Sequence, residues 1–244
     1  MSLYDVVIIG GGPSGLYAAR LLALSGLEAV VLERKPSVGQ DVVCTGIVNS
    51  EIFREYDIGP DSRTGDIQSV RMIGPGGETV LYSHPAPFAS VVDRSAFDRG
   101  LAARAVEAGA RVKEGRDVSE VCLTAEGVEV RTASRAAGPE KWRARMAVLA
   151  TGCHHRLLRR AGLKPPRTIL HGVQAEIPSA GEEATAVYLG RSYVQAGFGW
   201  AVPARSGRMK IGLLTHGSPL PSFEKFAAAR FPGTPFKRFS PSLG

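Results

Sequence analysis

Three glycines and a glutamate near the N-terminus are the residues whose types and spacing most clearly indicate a chemical role. Gly10, Gly12 and Gly15 form the pattern G-x-G-x-x-G, and Glu33 follows 18 residues after Gly15. In such a pattern the first glycine permits a tight turn, the second lets the backbone approach a pyrophosphate, and the third lets a helix pack closely on a strand. A carboxylate at the distance of Glu33 can accept hydrogen bonds from the hydroxyls of an adenosine ribose. The pattern is common by itself, so its structural context decides its meaning.

A second candidate is the small-residue loop Cys44-Thr45-Gly46. From its type alone, Cys44 could be a nucleophile, a metal ligand, half of a disulfide, or a residue beside a cofactor ring. The three cysteines are odd in number and far apart, which favours a reducing cytoplasm over a disulfide framework. None stands in C-x-x-C spacing and the five histidines form no H-x-H or H-x-x-x-H pair, so we predict no metal site.

The elements around the glycines support a nucleotide-binding βαβ unit. Val6 to Ile9 is a continuous β-branched run, which is typical of a parallel strand buried on both faces. An apolar helical pattern follows the glycine turn and stops at Ser25-Gly26. A second strand, Ala29 to Leu32, ends at Glu33. Strand, helix, strand and acid in this order predict a dinucleotide site, and Glu33 favours an unphosphorylated ribose.

The remaining chain predicts one more long helix and many strands. A helix is predicted to begin at Asp93, with Phe97, Leu101 and Ala105 on its buried face and Gly109 at its end. A β-hairpin is predicted over residues 66–83, followed by strands at 117–123, 127–131, 145–150, 168–177, 184–190, 196–203 and 208–214. A last helix is predicted over residues 222–230, and the tail after it as coil. The fold class is therefore α/β, a Rossmann-like domain joined to a β-rich, largely antiparallel domain.

Composition sets broad limits on function. With 244 residues, 44% hydrophobic and 22% charged, the chain is long and apolar enough for a globular protein. The net charge is +7, and its densest cluster is Arg156-Leu-Leu-Arg-Arg160. No basic stripe interleaves with aromatic residues, so we predict no nucleic-acid partner, while attraction to an anionic membrane surface stays open. The longest apolar run, residues 15–32, is interrupted by Arg20 and Glu28 and predicts no membrane span.

Several motifs together resemble a known family. They are the glycine turn with Glu33-Arg34, the run Val92-Asp-Arg-Ser-Ala-Phe-Asp98, and Ala150-Thr-Gly152. These resemble the FAD-dependent oxidoreductases built like p-hydroxybenzoate hydroxylase. Within that superfamily, Cys44-Thr-Gly46 and Gly197-Phe-Gly-Trp-Ala-Val-Pro203 resemble motifs of the geranylgeranyl reductases. Phe198 stands where that family usually has tyrosine, and Val202 where it usually has phenylalanine.

The resemblance implies FAD as the cofactor, with NAD(P)H or another electron donor left open, and a set of site residues. The implied cofactor-binding residues are Gly10, Gly12, Pro13, Ser14, Gly15, Glu33, Arg34, Cys44, Thr45, Arg94, Val118, Thr151 and Gly152. Cys44 and Thr45 are expected beside the isoalloxazine ring, with Cys44 either catalytic or a small residue that fits under the flavin. Phe198, Trp200 and Pro203 are expected to line the pocket for the prenyl chain.

The implied activity is reduction of isolated C=C bonds of a geranylgeranyl chain by reduced FAD. The partner is then an isoprenoid or prenyl-lipid substrate, and the location cytoplasmic, with peripheral membrane contact left open. Two alternatives are another flavin enzyme of this fold, such as a monooxygenase, halogenase or quinone-linked dehydrogenase, and a truncated, cofactor-poor, non-catalytic form. Thr151-Gly152 replaces the Asp-Gly motif of the aromatic hydroxylases, which makes a hydroxylase the less favoured of these.

The resemblance also predicts the domain organisation. Residues 1–165 are expected to form the FAD-binding domain with a β excursion at about 66–92, residues 166–220 an antiparallel substrate domain, and residues 221–244 a helix and coil tail. Members of the family continue with a Gly-Asp motif that returns to the flavin. The sequence offers no such segment, so we expect the C-terminal part of the family fold to be missing. The exact substrate, the electron donor and the oligomeric state are not predicted.

Overall fold

The computed structural model describes residues 3–133, 138–179, 184–192, 194, 196–205 and 207–239. The elements in chain order are β1 (Leu3–Ile9), α1 (Pro13–Leu24), β2 (Ala29–Leu32), β3 (Ile47–Asn49), α2 (Ile52–Glu55), β4 (Arg63–Ile67), β5 (Ser69–Ile73), β6 (Thr79–Ser83), β7 (Ala89–Val92), α3 (Arg94–Glu107), β8 (Arg111–Lys113), β9 (Asp117–Thr124), β10 (Gly127–Ala133), β11 (Glu140–Leu149), α4 (Arg156–Arg160), β12 (His171–Pro178), β13 (Thr185–Tyr188), β14 (Phe198–Ala204), β15 (Arg208–Thr215), α5 (Pro219–Arg230) and β16 (Lys237–Phe239). They group into two compact units. Unit 1 comprises the chain up to Val42 with Arg94–Pro166, and unit 2 comprises Val43–Asp93 with the chain from Arg167 onwards.

Unit 1 is built on a six-stranded sheet in the order β8-β2-β1-β11-β10-β9. The first four strands run parallel, and β10 lies antiparallel to both β11 and β9. The β1 and β2 strands fall where the apolar runs predicted them, and β2 is buried along its whole length because helices cover parallel sheets of this kind. The helix α1 ends at Leu24, where Gly26 adopts φ +81°. The predicted Rossmann-like βαβ unit is confirmed.

The helix α3 packs against α1 in unit 1 and buries the predicted face of Phe97, Leu101 and Ala105. The predicted β9–β10 hairpin is also confirmed. The strand β11 differs from its prediction, because it begins at Glu140 and is less buried than its apolar sequence suggested. Met146 is 60% exposed, whereas Ala144 is 1% exposed. An apolar run shows that a strand can be covered, but not which of its faces is covered.

Unit 2 is built on a seven-stranded sheet in the order β16-β12-β15-β14-β13-β5-β6, with a smaller sheet β3-β7-β4. All neighbours in the larger sheet are antiparallel except β13 and β5. The helix α5 buries Phe223 and Phe226 in a core with apolar residues of β12, β13, β14 and β15. The predicted hairpin, the four later strands and the last helix are therefore present, and the α/β class with a largely antiparallel second domain is confirmed.

The division of the chain differs from the predicted domains in two places. The excursion joins unit 2, because β5 pairs in parallel with β13. The tail predicted as coil contains β16, which pairs with β12. Both pairings join segments far apart in sequence, so local turn and strand signals did not predict them. The predicted boundary at residue 165 lies beside the boundary that follows Pro166.

Within the described residues, no helix combines the length and the apolar character needed to cross a membrane.

Candidate functional site

The glycine turn of unit 1 has two packed positions and one open one. A Cβ on Gly10 would lie 2.3 Å from Ala150 O, and a Cβ on Gly15 would lie 2.0 Å from Gly10 O. Gly10 also has φ +113°, which other residues rarely adopt. A Cβ on Gly12 would meet nothing within 4 Å. The turn therefore needs two glycines for its own packing, and Gly12 leaves a bare stretch of backbone facing open space.

The N-terminus of α1 is suited to an anion. Gly12 is the N-cap and provides no side-chain oxygen, Pro13 occupies the first turn, and that turn contains no acidic residue. The amide of Leu16 is bonded to Gly12 O at 3.0 Å. Amides earlier in a helix have no intrahelical acceptor, so those of Ser14 and Gly15 are available to a phosphate. With the open backbone at Gly12, these features fit the pyrophosphate of a dinucleotide.

Glu33 is fixed through both of its carboxylate oxygens, one of which bonds to the glycine turn. Oε2 accepts the Gly11 N–H at 2.6 Å and Oε1 accepts the Lys35 N–H at 2.9 Å. The side chain is only 9% exposed, so these bonds fix its position. A carboxylate has about four acceptor sites, and two of them are left for ribose hydroxyls. The arrangement fits the role predicted from spacing.

A pair that the sequence did not suggest lies beside Glu33. Arg34 Nη2 is 2.6 Å from His154 Nε2, and Thr151 Oγ1 donates to His154 O at 2.9 Å. Since a guanidinium only donates, His154 Nε2 accepts and the ring is neutral. Burial, followed by the charges of Arg34 and Lys35, lowers the pKa of His154 below its usual range. The sequence feature that could have indicated His154 is its position in the turn that follows β11, the strand that pairs with β1.

The other predicted cofactor residues of unit 1 lie in ordered surroundings. Arg94 forms two hydrogen bonds of 3.1 Å to the carboxylate of Asp98, which is 3% exposed. Burial raises the pKa of Asp98, and the hydrogen bond and charge of Arg94 oppose that shift. Val118 is buried on β9, and Gly152 adopts φ +57° in the turn after β11. Arg94 thus has a partner within its own helix, which accounts for a cation near a helix N-terminus.

In unit 2, the loop with Cys44 is tied to two strands of the large sheet. Thr45 Oγ1 donates to Gln174 Oε1 at 2.9 Å, and Lys210 Nζ donates to Thr45 O at 3.2 Å. The Gly46 N–H donates to Cys44 Sγ at 3.4 Å, and Gly46 has φ +85°. A Cβ on Gly46 would lie 2.3 Å from Val92 O, so this position requires glycine. The half-buried thiol is therefore fixed by the loop and its glycine.

The two predicted aromatic residues, Phe198 and Trp200, occupy the same face of the large sheet as Gln174 and Lys210. The register places Gln174 of β12 opposite Gly212 of β15, and Gly212 opposite Trp200 of β14. Residues directly opposite one another, and residues two apart on one strand, point to the same face. Phe198, Trp200, Gln174 and Lys210 therefore share one face, which we call the open face because its end at Phe198 is exposed. The same face is covered at Gln174, which is 7% exposed, and at Val202, which packs with Ile67 and Val91.

The open face has an aromatic floor. A Cβ on Gly212 would lie 2.3 Å from Trp200 Cζ2, so the indole lies directly over this glycine. Phe198 is 38% exposed and its ring centroid is 5.9 Å from that of Trp200. Trp200 Nε1 is buried without a hydrogen-bond partner among the described residues. A solvent-accessible phenyl ring beside a fixed indole can pack against an apolar chain.

Pro203 does not belong to this group. It lies three positions after Trp200 and pairs with Met209, which is part of the core beneath α5. Strand alternation places it on the face opposite Trp200. The structure therefore separates the three residues predicted to line one pocket, and it adds Gln174 and Lys210, which the sequence did not indicate.

A family model described as an FAD binding domain matches residues 3–172, more than half of the chain. The chain belongs to this family. The match confirms FAD as the predicted cofactor, and the glycine turn, the N-terminus of α1 and Glu33 fit the AMP and pyrophosphate portions of that molecule. These three features were derived from spacing and packing alone.

The relatives confirm the resemblance to geranylgeranyl reductases. Digeranylgeranylglycerophospholipid reductase 2 of Methanothermobacter thermautotrophicus is 29% identical over 217 residues, covering 86% of this chain and 56% of the relative. Digeranylgeranylglycerophospholipid reductase of Methanosphaerula palustris is 29% identical over 246 residues, covering 94% of this chain and 61% of the relative. The crystal structure of a geranylgeranyl bacteriochlorophyll reductase-like protein from Thermoplasma acidophilum superposes with a TM-score of 0.87 at 25% identity, covering 97% of this chain and 65% of that one. The chain thus spans about three fifths of the length of these curated relatives.

Proposed function

We propose that this chain is the FAD-binding and substrate-binding part of a reductase that saturates C=C bonds in a geranylgeranyl-type lipid. The proposal is carried by the open face of unit 2, where the exposed phenyl ring of Phe198 lies beside the indole of Trp200, and Gln174 and Lys210 of the same face hold the loop of Cys44 through Thr45. An isoprenoid chain is apolar and would pack on the aromatic floor. The names of the two curated relatives support this substrate class.

The roles proposed for unit 1 follow from its hydrogen-bond geometry. The amides of Ser14 and Gly15 bind the pyrophosphate at the N-terminus of α1, where the helix dipole favours negative charge. Glu33 accepts hydrogen bonds from the adenosine ribose through the acceptor sites that Gly11 and Lys35 leave open. Reduced FAD supplies a hydride to the alkene when it is bound.

The proton that completes saturation of the double bond must come from the protein or from water. We assign this role to the Cys44 thiol, which the resemblance implies is beside the flavin ring. The Gly46 amide donates to Sγ at 3.4 Å, which fixes the side chain without consuming the S–H proton. The alternative is that Cys44 is a small residue that fits beside the ring. The rates of Cys44→Ser, which keeps a proton on the side chain, and Cys44→Ala, which does not, distinguish the two roles.

A single series of experiments tests the proposed function. The chain is titrated with FAD, the bound flavin is reduced without oxygen, and a detergent-dispersed geranylgeranyl lipid is added. We expect the absorbance of oxidised flavin to return with the substrate. Phe198→Ala should slow that step while leaving FAD affinity unchanged, and Tyr82→Ala, an aromatic residue 49% exposed on the edge strand β6, should not slow it.

Two results would contradict the proposal in different ways. Failure to bind FAD would remove the enzymatic role altogether. Tight FAD binding with reoxidation by oxygen or a quinone, but not by the lipid, would favour the alternative flavin enzymes of this fold.

A further inference from the structure

The positive charge of this protein is concentrated in one segment. Residues 141–175 contain eight Lys and Arg and no Asp or Glu. The other 22 Lys and Arg are outnumbered by 23 Asp and Glu, so the rest of the chain has a formal charge of −1 and the segment supplies the whole excess. Charge collected in this way creates a local potential that an even distribution would not.

Some of these cations are partly offset by acids elsewhere in unit 1. Lys141 and Arg143 lie 3.5 and 3.8 Å from the carboxylate of Glu129, and Arg145 lies 3.3 Å from Asp5. Arg156 lies 3.9 Å from Asp117, at the limit of an ion pair. Glu129 is also paired with Arg131, so these cations are offset only in part, but each has an acid nearby.

The cations of α4 and the turn after it are different. Arg160 donates to the carbonyl of Ser119 at 2.5 Å, which leaves its charge uncompensated. Arg159 and Lys164 have no ion-pair partner among the described residues, and all three are exposed. Leu163 lies among them and is 53% exposed. We call Arg159, Arg160, Leu163 and Lys164 the basic surface.

The backbone holds the basic surface in a fixed arrangement. The Gly162 amide donates to Arg159 O at 3.1 Å, and the Leu163 amide donates to Leu158 O at 2.9 Å. Gly162 has φ +76°, so the helix ends in a left-handed turn. In turns of this kind the residue at the position of Leu163 frequently packs back on the helix, but here more than half of it faces solvent.

We propose that the basic surface docks unit 1 on a bilayer that contains anionic lipids. Cations bind the phosphate groups of such a bilayer, and the exposed leucine can insert among the acyl chains. Nucleic acid fits less well, because residues 143–175 contain no Phe, Tyr or Trp on which a base could stack. The proposal rests on the proposed function in one respect, since a prenyl-lipid substrate resides in a membrane.

The test is co-sedimentation of the full chain with vesicles that contain no prenyl lipid. We expect binding to vesicles of phosphatidylcholine with phosphatidylglycerol and little binding to phosphatidylcholine alone. A cation near such a surface contributes about 1 kcal/mol, or roughly fivefold in partitioning, so the double variant R159Q/K164Q should bind roughly 25-fold more weakly. Raising the salt from about 0.1 M to about 1 M should release the parent chain, because the screening length falls from about 10 to 3 Å.

The matched control is the double variant K141Q/R143Q. It removes two cations from the same segment, but both lie outside the basic surface and are partly offset by Glu129, so its binding should fall by less than about fivefold. Equal losses in the two double variants would overturn the proposal, as would equal binding to neutral and anionic vesicles. Stronger binding of a single-stranded RNA oligomer that displaces the vesicles would assign the surface to nucleic acid instead. Turnover of detergent-dispersed lipid tests the proposed function without vesicles, so either idea can fail alone.

Discussion

Replacing Gly12 with alanine should separate FAD binding from stability. The residue has φ −83° and ψ 177°, an extended conformation that alanine adopts without strain, and its new Cβ would meet nothing within 4 Å. Removing a glycine also restricts the unfolded chain, which stabilises a compatible site by about 0.4–1 kcal/mol. We therefore expect a melting temperature equal to that of the parent or higher by about 1 to 4 °C.

The same substitution should damage the cofactor site. The uncovered backbone at Gly12 is where the chain can approach a pyrophosphate, and a methyl group would occupy that space. We expect FAD affinity to fall by at least about tenfold, which corresponds to about 1.4 kcal/mol. Quenching of FAD fluorescence measures the affinity, and thermal melts followed by circular dichroism measure the stability.

Two further glycines serve as comparisons. At Gly15 the added Cβ would lie 2.0 Å from Gly10 O, so Gly15→Ala should lose about 1–3 kcal/mol of stability as well as FAD binding. Gly100 of α3 also has open space around its Cβ position and lies outside the turn, so Gly100→Ala should keep both properties. Unchanged FAD affinity in Gly12→Ala would refute the assignment of the pyrophosphate to this turn. A loss of stability there would refute the packing argument.

The other predictions concern the two residues beside that turn. Glu33→Gln keeps only one acceptor oxygen for the amides of Gly11 and Lys35, so it should cost about 1–3 kcal/mol in denaturant unfolding and weaken FAD binding, whereas the exposed Glu28→Gln should do neither. The pKa of His154 is lowered in the folded protein, so as pH falls this imidazole is protonated first in the unfolded chain. The contribution of His154 to stability should therefore be lost as pH falls through the usual value near 6.5 towards the folded value. Unfolding free energies measured between about pH 5 and 8 should therefore fall less steeply as pH decreases in His154→Gln, and an unchanged slope would contradict the lowered pKa that burial, with the charges of Arg34 and Lys35, gives His154.

The parts of the molecule that sequence predicts well are those fixed by neighbours along the chain. Spacing alone located the turn, α1 and Glu33, because each depends on residues within one βαβ unit. Arg34 and His154 are 120 residues apart, and Thr45 and Gln174 are 129 apart. These pairs exist because the tertiary fold brings segments that are far apart in sequence side by side, and no local pattern records that arrangement.

Pro203 is a different case, since the information needed to place it was in the sequence. A strand predicted over residues 196–203 alternates its faces, so Phe198 and Trp200 must share a face that Pro203 does not. Matching the motif as a run of consecutive residues overlooks the fact that neighbouring residues of a strand point to opposite faces. The period alone does not add Gln174 and Lys210, because placing them on that face also requires the register of β12, β14 and β15 through Gly212.

The two faces of the large sheet in unit 2 are made different by glycines on adjacent strands. Gly199 faces α5, and a Cβ there would lie 2.8 Å from the ring of Phe226, so this glycine admits the phenylalanine to the core. Gly212 faces the other way and admits the indole of Trp200, whose Cζ2 would lie 2.3 Å from an added Cβ. One aromatic ring is thereby sealed beneath a helix, and the other is fixed on the open face next to Phe198. A larger residue at Gly212 would force the indole outwards, so this glycine shapes the proposed substrate site without contacting the substrate itself.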